Sequence, residues 1–179
     1  MKRDSAASVT VILASLGFVA QALAADGTAC ENQAGCQGTE ICLQGQCADF
    51  LGRTVEVTVH SAAITEKQRD GAEWDSSSKP DPVVVVYYPD KEKRFKTKIA
   101  DNTLDPAWQQ SFTVEIKEGN RAIWFCLFDD DTFGSEDIRV GKEGETSCVG
   151  YKDVLDLVRL GESTLETSGE LKWLKLLAK

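Results

Sequence analysis

The chain is short of histidine and of positive charge, and each shortage excludes a class of function. Its 179 residues include one histidine, His60, and carry 20 Lys and Arg against 29 Asp and Glu, a formal net charge of -9. An acidic surplus argues against nucleic acid as a partner and against attraction to an anionic membrane without a cation. A lone histidine provides no Ser/His/Asp set, and no glycine-rich phosphate loop is present. We expect a protein that is not an enzyme and does not bind nucleic acid.

The first 24 residues predict a secretory signal peptide. Lys2 and Arg3 precede an apolar segment at about 6–22, and small residues occupy the two key positions before a cut after Ala24. The alternative is an uncleaved anchor, which the short apolar run and the interruption at Gln21 disfavour. We therefore expect a secreted, extracellular protein.

All six cysteines follow that cut, and an even number in a secreted chain indicates disulfides. They are Cys30, Cys36, Cys42, Cys47, Cys126 and Cys148. The simplest partition has two bridges among the first four and one between the last two, with three pairings of the first four left open. Zinc is the alternative, which the lack of a Cys-x-x-Cys pair disfavours. Residues 25–49 have almost no large apolar side chains, so we expect a short segment held by its bridges.

From residue 54 onward, short apolar patterns predict an all-β domain. Val55, Val57 and Val59 alternate with polar residues, and residues 83–88 form a β-branched and aromatic run. Further strands are predicted at 94–99, 108–116, 122–128, near Leu165 and at 171–177, with a helix at 151–160. Seven or eight short strands with a single helix indicate an antiparallel β-sandwich.

The stretch from Asp129 to Asp137 places five acidic residues within nine positions, directly after the strand predicted at 122–128. Carboxylates a few ångströms apart repel each other, so such a stretch needs solvent or a cation. One interpretation is a solvated acidic turn. The other is a cradle for calcium, which takes about six to eight oxygen ligands. The stretch by itself leaves both interpretations open.

Three blocks, in order, resemble the C2 domain, the calcium- and lipid-binding β-sandwich. Lys-Pro-Asp-Pro-Val-Val-Val-Val at 79–86 resembles its Ser-Asp-Pro-Tyr-Val-x-Val signature, although Lys-Pro replaces the usual residues before the aspartate. Leu-Asp-Pro-Ala-Trp-Gln-Gln-Ser-Phe at 104–112 resembles its Leu-Asn-Pro-x-Trp-Asn-Glu-x-Phe block. The acidic stretch matches its Asp-x-Asp loop with a third aspartate six residues later. The resemblance covers about residues 53–178.

This resemblance implies an eight-stranded antiparallel β-sandwich at 53–178, preceded by the cysteine-rich segment at 25–49. The sequence offers no extra strand between Cys47 and Thr54 but offers one at the end, at 169–177. We therefore expect the type II topology, the circular variant that finishes on the additional strand. The secreted C2 domain of perforin has a similar arrangement.

The resemblance also implies a calcium site built from five carboxylates on two loops. The matched residues are Asp75, Asp81, Asp129, Asp131 and Asp137. Asp70 is an alternative to Asp75 for the first loop, because that loop is longer than usual. Five carboxylates carry a charge of -5, which two Ca²⁺ ions would reduce to -1.

The implied function is calcium-dependent docking on anionic phospholipid membranes. Phe133, on a polar loop, matches the position of an apolar residue that enters the bilayer, and Trp74 adjoins the first-loop aspartate. For Trp74 the alternative is a place in the sandwich core. The alternative function is an extracellular interaction module, in which the cysteine-rich segment recognises a protein partner and the sandwich is a scaffold.

Overall fold

The computed structural model describes residues 27–74, 78–131, 134–138 and 147–179, and at residues 131 and 134–137 it gives the backbone. The predicted signal peptide lies outside the described residues. The strands are β1 (Glu40–Leu43), β2 (Gln46–Asp49), β3 (Thr54–Ile64), β4 (Pro82–Tyr87), β5 (Lys93–Lys96), β6 (Ala107–Glu115), β7 (Ile123–Asp131), β8 (Gly134–Asp137), β9 (Cys148–Tyr151), β10 (Glu162–Glu166) and β11 (Leu171–Ala178). The helix α1 (Val154–Leu160) lies between β9 and β10, and Gln33–Gly35 forms a 3₁₀ turn. Within the described residues, no helix is long and apolar enough to cross a membrane.

Two antiparallel sheets form the sandwich. One has the order β10-β11-β3-β6, and the other has the order β5-β4-β7 with β8 and β9 along its last edge. The final strand, β11, pairs with the first sandwich strand, β3, and places Leu171 opposite Ile64. The predicted topology that ends on the additional strand is therefore confirmed, as is the all-β sandwich.

The edge strand beside β7 is interrupted once. Phe128 pairs with Asp137 in β8, and Cys126 pairs with Cys148 in β9. Between these pairs, the Leu127 N–H donates to Ser147 O at 3.0 Å, and Leu127 O accepts from the Ile138 N–H at 3.1 Å. The chain thus leaves the edge after residue 138 and rejoins it at residue 147. Counted as one strand, β8 and β9 complete the predicted eight.

The core lies between the sheets, and alternate residues of the central strands β3 and β7 point into it. Val55, Val57 and Val59 of β3 are at most 2% exposed, and the residues between them are more exposed. In β7, Ile123, Phe125 and Leu127 are fully buried against them. Full burial of such side chains contributes about 1.5–3 kcal/mol each relative to exposure. The predicted alternation thus accounts for most of the buried face.

The cysteine-rich segment is stapled by two crossed bridges, Cys30–Cys42 and Cys36–Cys47. A third bridge joins Cys126 to Cys148 between β7 and β9. The predicted partition is confirmed, and the structure selects one of the three pairings that the sequence leaves open. Because these sulfur atoms are paired with one another, they do not serve as thiolate ligands for zinc.

The cysteine-rich segment is also anchored to the sandwich. Ile41 of β1 is 2% exposed and belongs to the main hydrophobic core. The Arg159 guanidinium of α1 donates to the Gly38 and Glu40 carbonyl oxygens, each at 3.1 Å. The segment is therefore held by its own bridges and by one apolar and one polar contact with the sandwich.

Charged partners organise the region around α1. Asp153 caps the helix by accepting from the Leu155 N–H at 3.0 Å, and Arg121 donates to the same carboxylate at 2.5 Å. Burial alone would raise the pKa of Asp153, but these hydrogen bonds hold the pKa below its ordinary value. Gly161 ends the helix at a φ of 69°, which suits glycine.

Candidate functional site

One end of the sandwich gathers the loops in which the sequence predicts the ligands. This acidic end comprises the loops at 65–81 and 97–106 and the β7–β8 hairpin. Backbone hydrogen bonds join its parts: Thr103 N donates to Pro80 O at 2.9 Å, and Ile64 N donates to Leu104 O at 2.8 Å. The opposite end, which carries α1 and the start of β7, is the helix end.

Asp81 and Asp129 meet at the acidic end. β4 and β7 are neighbours, and Pro82 lies opposite Asp129 in their register, which brings Asp81 beside the end of β7. The Asp81 N–H donates to Asp129 Oδ1 at 2.6 Å, and Asp81 O accepts from the Asp130 N–H at 3.2 Å. Two predicted ligands from separate loops are therefore in direct contact.

Asp129 is a fully buried carboxylate. Its position follows the inward alternation of Phe125 and Leu127, so β7 presents it toward the space between the sheets. Burying a carboxylate costs free energy unless hydrogen bonds or an opposite charge compensate for it. The alternation of β7 thus places the Asp129 carboxylate between the two sheets at the acidic end.

Asn102 holds the other carboxylate, and the sequence analysis did not identify it. The Asn102 N–H donates to Asp81 Oδ1 at 2.5 Å, and its own Oδ1 accepts from the Lys79 N–H at 2.8 Å. Asn102 has a φ of 49°, a conformation that Asn tolerates better than most residues. An Asn beside the Thr-Leu-Asp-Pro turn is the signal that could have revealed this contact.

The acidic stretch is a hairpin and not the loop predicted for residues 129–137. β7 continues through Asp131, β8 begins at Gly134, and Asp131 pairs with Gly134. A strand this acidic is unfavourable by composition, but the ladder from β4 across β7 extends it. This corrects the prediction of a loop at this position.

The hairpin register separates the predicted ligands. Asp131 is the last residue of β7, two positions after Asp129. Asp137 lies opposite Phe128, whereas Glu136 lies opposite Asp129. Directly opposed residues share a face of the sheet. The register gives the backbone positions of Asp131 and Asp137, and the ligand role of both remains a prediction.

Asp130, on the other face, forms an ion pair that the sequence analysis missed. Lys96 Nζ lies 2.8 Å from Asp130 Oδ2. Lys96 is in β5 and Asp130 in β7, so the pair crosses the intervening β4. Asp130 therefore has a charged partner within the protein and is only partly exposed. Sequence carries no direct signal for this contact, since 34 positions separate the residues.

Trp74 is in the core, which corrects its predicted place in the membrane. The side chain is 5% exposed and belongs to the main hydrophobic cluster. Its Nε1–H donates to Thr65 O at 2.8 Å, and Gln68 Nε2 donates to Trp74 O at 3.3 Å. Moving this indole into a bilayer would break its core contacts and its N–H hydrogen bond, so the residue is placed as part of the core.

Two predicted residues, Asp75 and Phe133, lie outside the described residues, so their roles stay predictions. Asp70 is exposed and its Oδ1 accepts from the Ala72 N–H at 2.9 Å, which is a local turn contact. The first loop is anchored before Asp75 by Trp74 and by Glu170, whose Oε1 accepts from the Arg69 N–H at 2.8 Å.

The donor chemistry of the described part of the site fits a hard cation. Asp81 and Asp129 offer carboxylate oxygens, the ligand type that calcium prefers. One oxygen of each carboxylate accepts a backbone hydrogen bond. Asp129 Oδ1 accepts from the Asp81 N–H, and Asp81 Oδ1 accepts from the Asn102 N–H. Among the described residues, Asp81 Oδ2 receives no hydrogen bond, and Asp81 is only partly buried. An oxygen is thus available for a cation at the mouth of the sandwich.

Comparison with known proteins places the chain in a family. The C2 domain profile matches residues 53–144, just over half of the chain. Synaptotagmin-1 of Aplysia californica is 37% identical over 93 residues, which cover 50% of this chain and 20% of that protein. Protein C2-DOMAIN ABA-RELATED 6 of Arabidopsis thaliana is 32% identical over 109 residues, or 61% of this chain and 58% of that protein. The chain thus spans less than two thirds of these relatives.

Solved structures show the same fold. Human GIVD cytosolic phospholipase A2 matches with a TM-score of 0.52 and 21% identity over 70% of this chain and 16% of that one. A C2 domain of a plant Extended Synaptotagmin 1 matches with a TM-score of 0.51 and 17% identity over 70% of this chain and 91% of that one. The profile match, the sandwich and its strand order lead to one conclusion: this chain belongs to the C2 domain family.

Proposed function

We propose that the protein is a secreted C2 module that binds calcium at the acidic end and thereby docks on anionic phospholipid membranes. The observation that carries the proposal is the 2.6 Å contact between the Asp81 N–H and the Asp129 carboxylate. It joins two segments that lie far apart in sequence and supports a site in which Asp81 and Asp129 both contribute at one end of the sandwich. The proposal describes a binding protein and not an enzyme.

Electrostatics explain why a cation is needed for docking. The proposed ligands Asp75, Asp81, Asp129, Asp131 and Asp137 carry a charge of -5 and would repel an anionic bilayer. Bound calcium would supply positive charge at this end and coordination positions for lipid phosphate. Asp137 lies opposite Phe128 in the backbone register and Asp75 lies outside the described residues, so their ligand roles rest on the family resemblance. Phe133 is the proposed apolar contact with the bilayer.

Three disulfides in the described residues support the extracellular setting, because such bonds persist in oxidising compartments. Calcium is abundant there, so a site of modest affinity would remain occupied. Membrane docking would then be controlled by the exposure of anionic lipid.

The test measures sedimentation of the purified protein with phosphatidylserine vesicles, with calcium or with chelator. We expect calcium-dependent binding, and we expect Asp129→Asn combined with Asp131→Asn to abolish it. Asn at 129 retains an oxygen that accepts from the Asp81 N–H, so the fold should survive the change.

The matched control removes two acidic charges from the helix end. Asp156→Asn with Glu162→Gln changes side chains that are 54% and 60% exposed, and these should leave vesicle binding unchanged. Equal binding of the wild-type protein in calcium and in chelator would contradict the proposal. So would unchanged calcium-dependent binding by the Asp129 and Asp131 variant.

The cysteine-rich segment supports a second role, as a surface for a protein partner. It lies at the helix end through Ile41 and Arg159, away from the acidic end, so membrane docking would leave it accessible. Removing the whole segment would expose the core around Ile41. Leu43→Glu, at a side chain that is 43% exposed, is the cleaner test, since it should weaken a protein contact without changing vesicle binding.

A further inference from the structure

The outer face of the second sheet carries an apolar groove that the proposed calcium site does not use. Its volume is about 550 Å³, within the range of about 300–1,000 Å³ that is typical of small-ligand pockets. The groove is lined by Tyr87, Asp90, Lys91, Trp124, Cys126, Phe128 and Cys148. Three aromatic rings and a disulfide therefore provide most of its wall.

The strand register explains why these residues share a face. In β7, Trp124, Cys126 and Phe128 alternate with the core residues, so they point away from the core. Tyr87 of β4 lies opposite Trp124 and extends the same face. From residue 124 to residue 128 the strand advances roughly 13 Å, at about 3.3 Å per residue. The groove is therefore elongated along the strands.

The two ends of the groove differ in charge. At the Trp124 end, Asp90 Oδ1 accepts from the Trp124 Nε1–H at 3.3 Å, which engages one oxygen of that carboxylate and fixes its position. Lys91 is exposed at the same end, and Lys93, also exposed, lies opposite Tyr87. Neither lysine forms an ion pair with another residue in the described part of the chain. A ligand with an apolar tail and an anionic head matches this arrangement.

We propose that this groove binds a single long-chain carboxylate, with the tail along Trp124, Cys126 and Phe128 and the carboxylate beside Lys91 and Lys93. The head end lies at the helix end of the sandwich, and the tail end lies toward the acidic end. A lipid that remains anchored in a bilayer docked at the acidic end would have its head group at the acidic end, away from Lys91 and Lys93. The occupant is therefore a free, monomeric fatty acid, and its binding needs no calcium.

The test titrates the purified protein, in chelator, with octanoate, decanoate, dodecanoate and tetradecanoate below their micelle concentrations. Calorimetry gives the affinity, and tryptophan fluorescence reports the contact through Trp124. Trp74 and Trp108 are buried at 5% and 7% exposure, and Trp173 is in β11 of the other sheet. Each added methylene should strengthen binding by about three- to fourfold until the groove is filled. Dodecanol, which lacks the charge, should bind more weakly than dodecanoate.

Two sets of variants locate the site. Trp124→Gln removes an aromatic wall at a partly exposed position, and affinity for dodecanoate should fall at least tenfold with loss of the fluorescence response. Lys91→Gln with Lys93→Gln changes exposed residues only, and should weaken dodecanoate about three- to tenfold but leave dodecanol unchanged. The second set does not touch the wall, so it remains informative even if Trp124→Gln fails to fold.

Three results would overturn the proposal. The first is no binding of tetradecanoate. The second is an affinity that does not depend on chain length or on the two lysines. The third is binding in chelator to phosphatidylcholine vesicles but not to monomeric fatty acids, which would assign the face to contact with a bilayer.

Discussion

The two ends of the sandwich hold their charged groups in different ways. At the helix end, Arg121 is paired with Asp153, and Arg159 donates to carbonyl oxygens of the cysteine-rich segment. At the acidic end, the Asp81 and Asp129 carboxylates accept hydrogen bonds from backbone N–H groups. Opposite charges thus compensate each other at the helix end. At the acidic end the ion pairs Lys67–Glu73 and Lys96–Asp130 lie nearer the solvent, and backbone N–H groups hold Asp81 and Asp129.

This difference separates a structural use of charge from a functional one. A carboxylate that is paired with a guanidinium stabilises the fold but is not available to a cation from solution. A carboxylate that is oriented by backbone donors keeps its negative charge at a defined place. The acidic end therefore depends on packing for its stability, and the following predictions test that contrast.

The largest effect is expected at Trp74, which packs under the first loop of the acidic end. Trp74→Ala should lower the free energy of unfolding by about 3–5 kcal/mol, because it opens a cavity and removes the hydrogen bond to Thr65 O. Trp74→Phe should cost less, since it keeps most of the apolar contact. Denaturant unfolding in chelator measures both. A near-neutral Trp74→Ala would mean that the indole is not a core residue.

At the helix end, Asp153→Ala should cost about 2–3 kcal/mol, since it removes the helix cap and leaves the Arg121 guanidinium without its partner. Asp153→Asn should cost less than half as much, because Asn also caps helices. Calcium should not change either value. If calcium restores the stability of Asp153→Ala, the two ends are coupled and the contrast fails.

The sequence predicted the sandwich better than the placement of individual polar residues. Alternation at Val55, Val57 and Val59 reports a buried face directly, and the lack of an extra strand before Thr54 indicated the strand order. The predicted ends of β7 and of the helix were less accurate. The helix begins at Val154 and not at residue 151, because β9 continues through Tyr151.

The errors at the site have a common cause, which is that they depend on contacts between distant segments. Trp74 sits in a polar stretch, and only the fold of the whole loop shows that it reaches the core. The acidic composition at 129–137 suggested a loop, but pairing of β7 with β8 continues the strand to Asp131. Asn102 and Lys96 act through residues 21 and 34 positions away. Apart from the position of Asn102 beside a turn, the local sequence pattern carries no information on such contacts.

Acid should weaken the helix end selectively. The pKa of Asp153 is lowered in the folded protein, so its ionised form contributes stability that is complete above its unfolded value of about 3.9. That contribution is lost as the pH falls through the still lower folded-state pKa. The stability difference between the wild-type protein and Asp153→Asn should therefore be constant from pH 7 to about pH 5 and shrink at lower pH. A constant difference down to about pH 2 would contradict the assignment.

The smallest effect is expected for the ion pair between Lys96 and Asp130 at the acidic end. These side chains are 43% and 25% exposed, so water and salt screen their attraction. Lys96→Gln should change the free energy of unfolding by less than about 1 kcal/mol, and the change should diminish in high salt. Asp130→Asn is the matched variant, and the double variant should cost no more than either single change plus a few tenths of a kcal/mol. A loss as large as that of Asp153→Ala would show that the acidic end also depends on paired charge. A solvent-exposed ion pair contributes too little to account for such a loss, so the pair would have to be shielded from water.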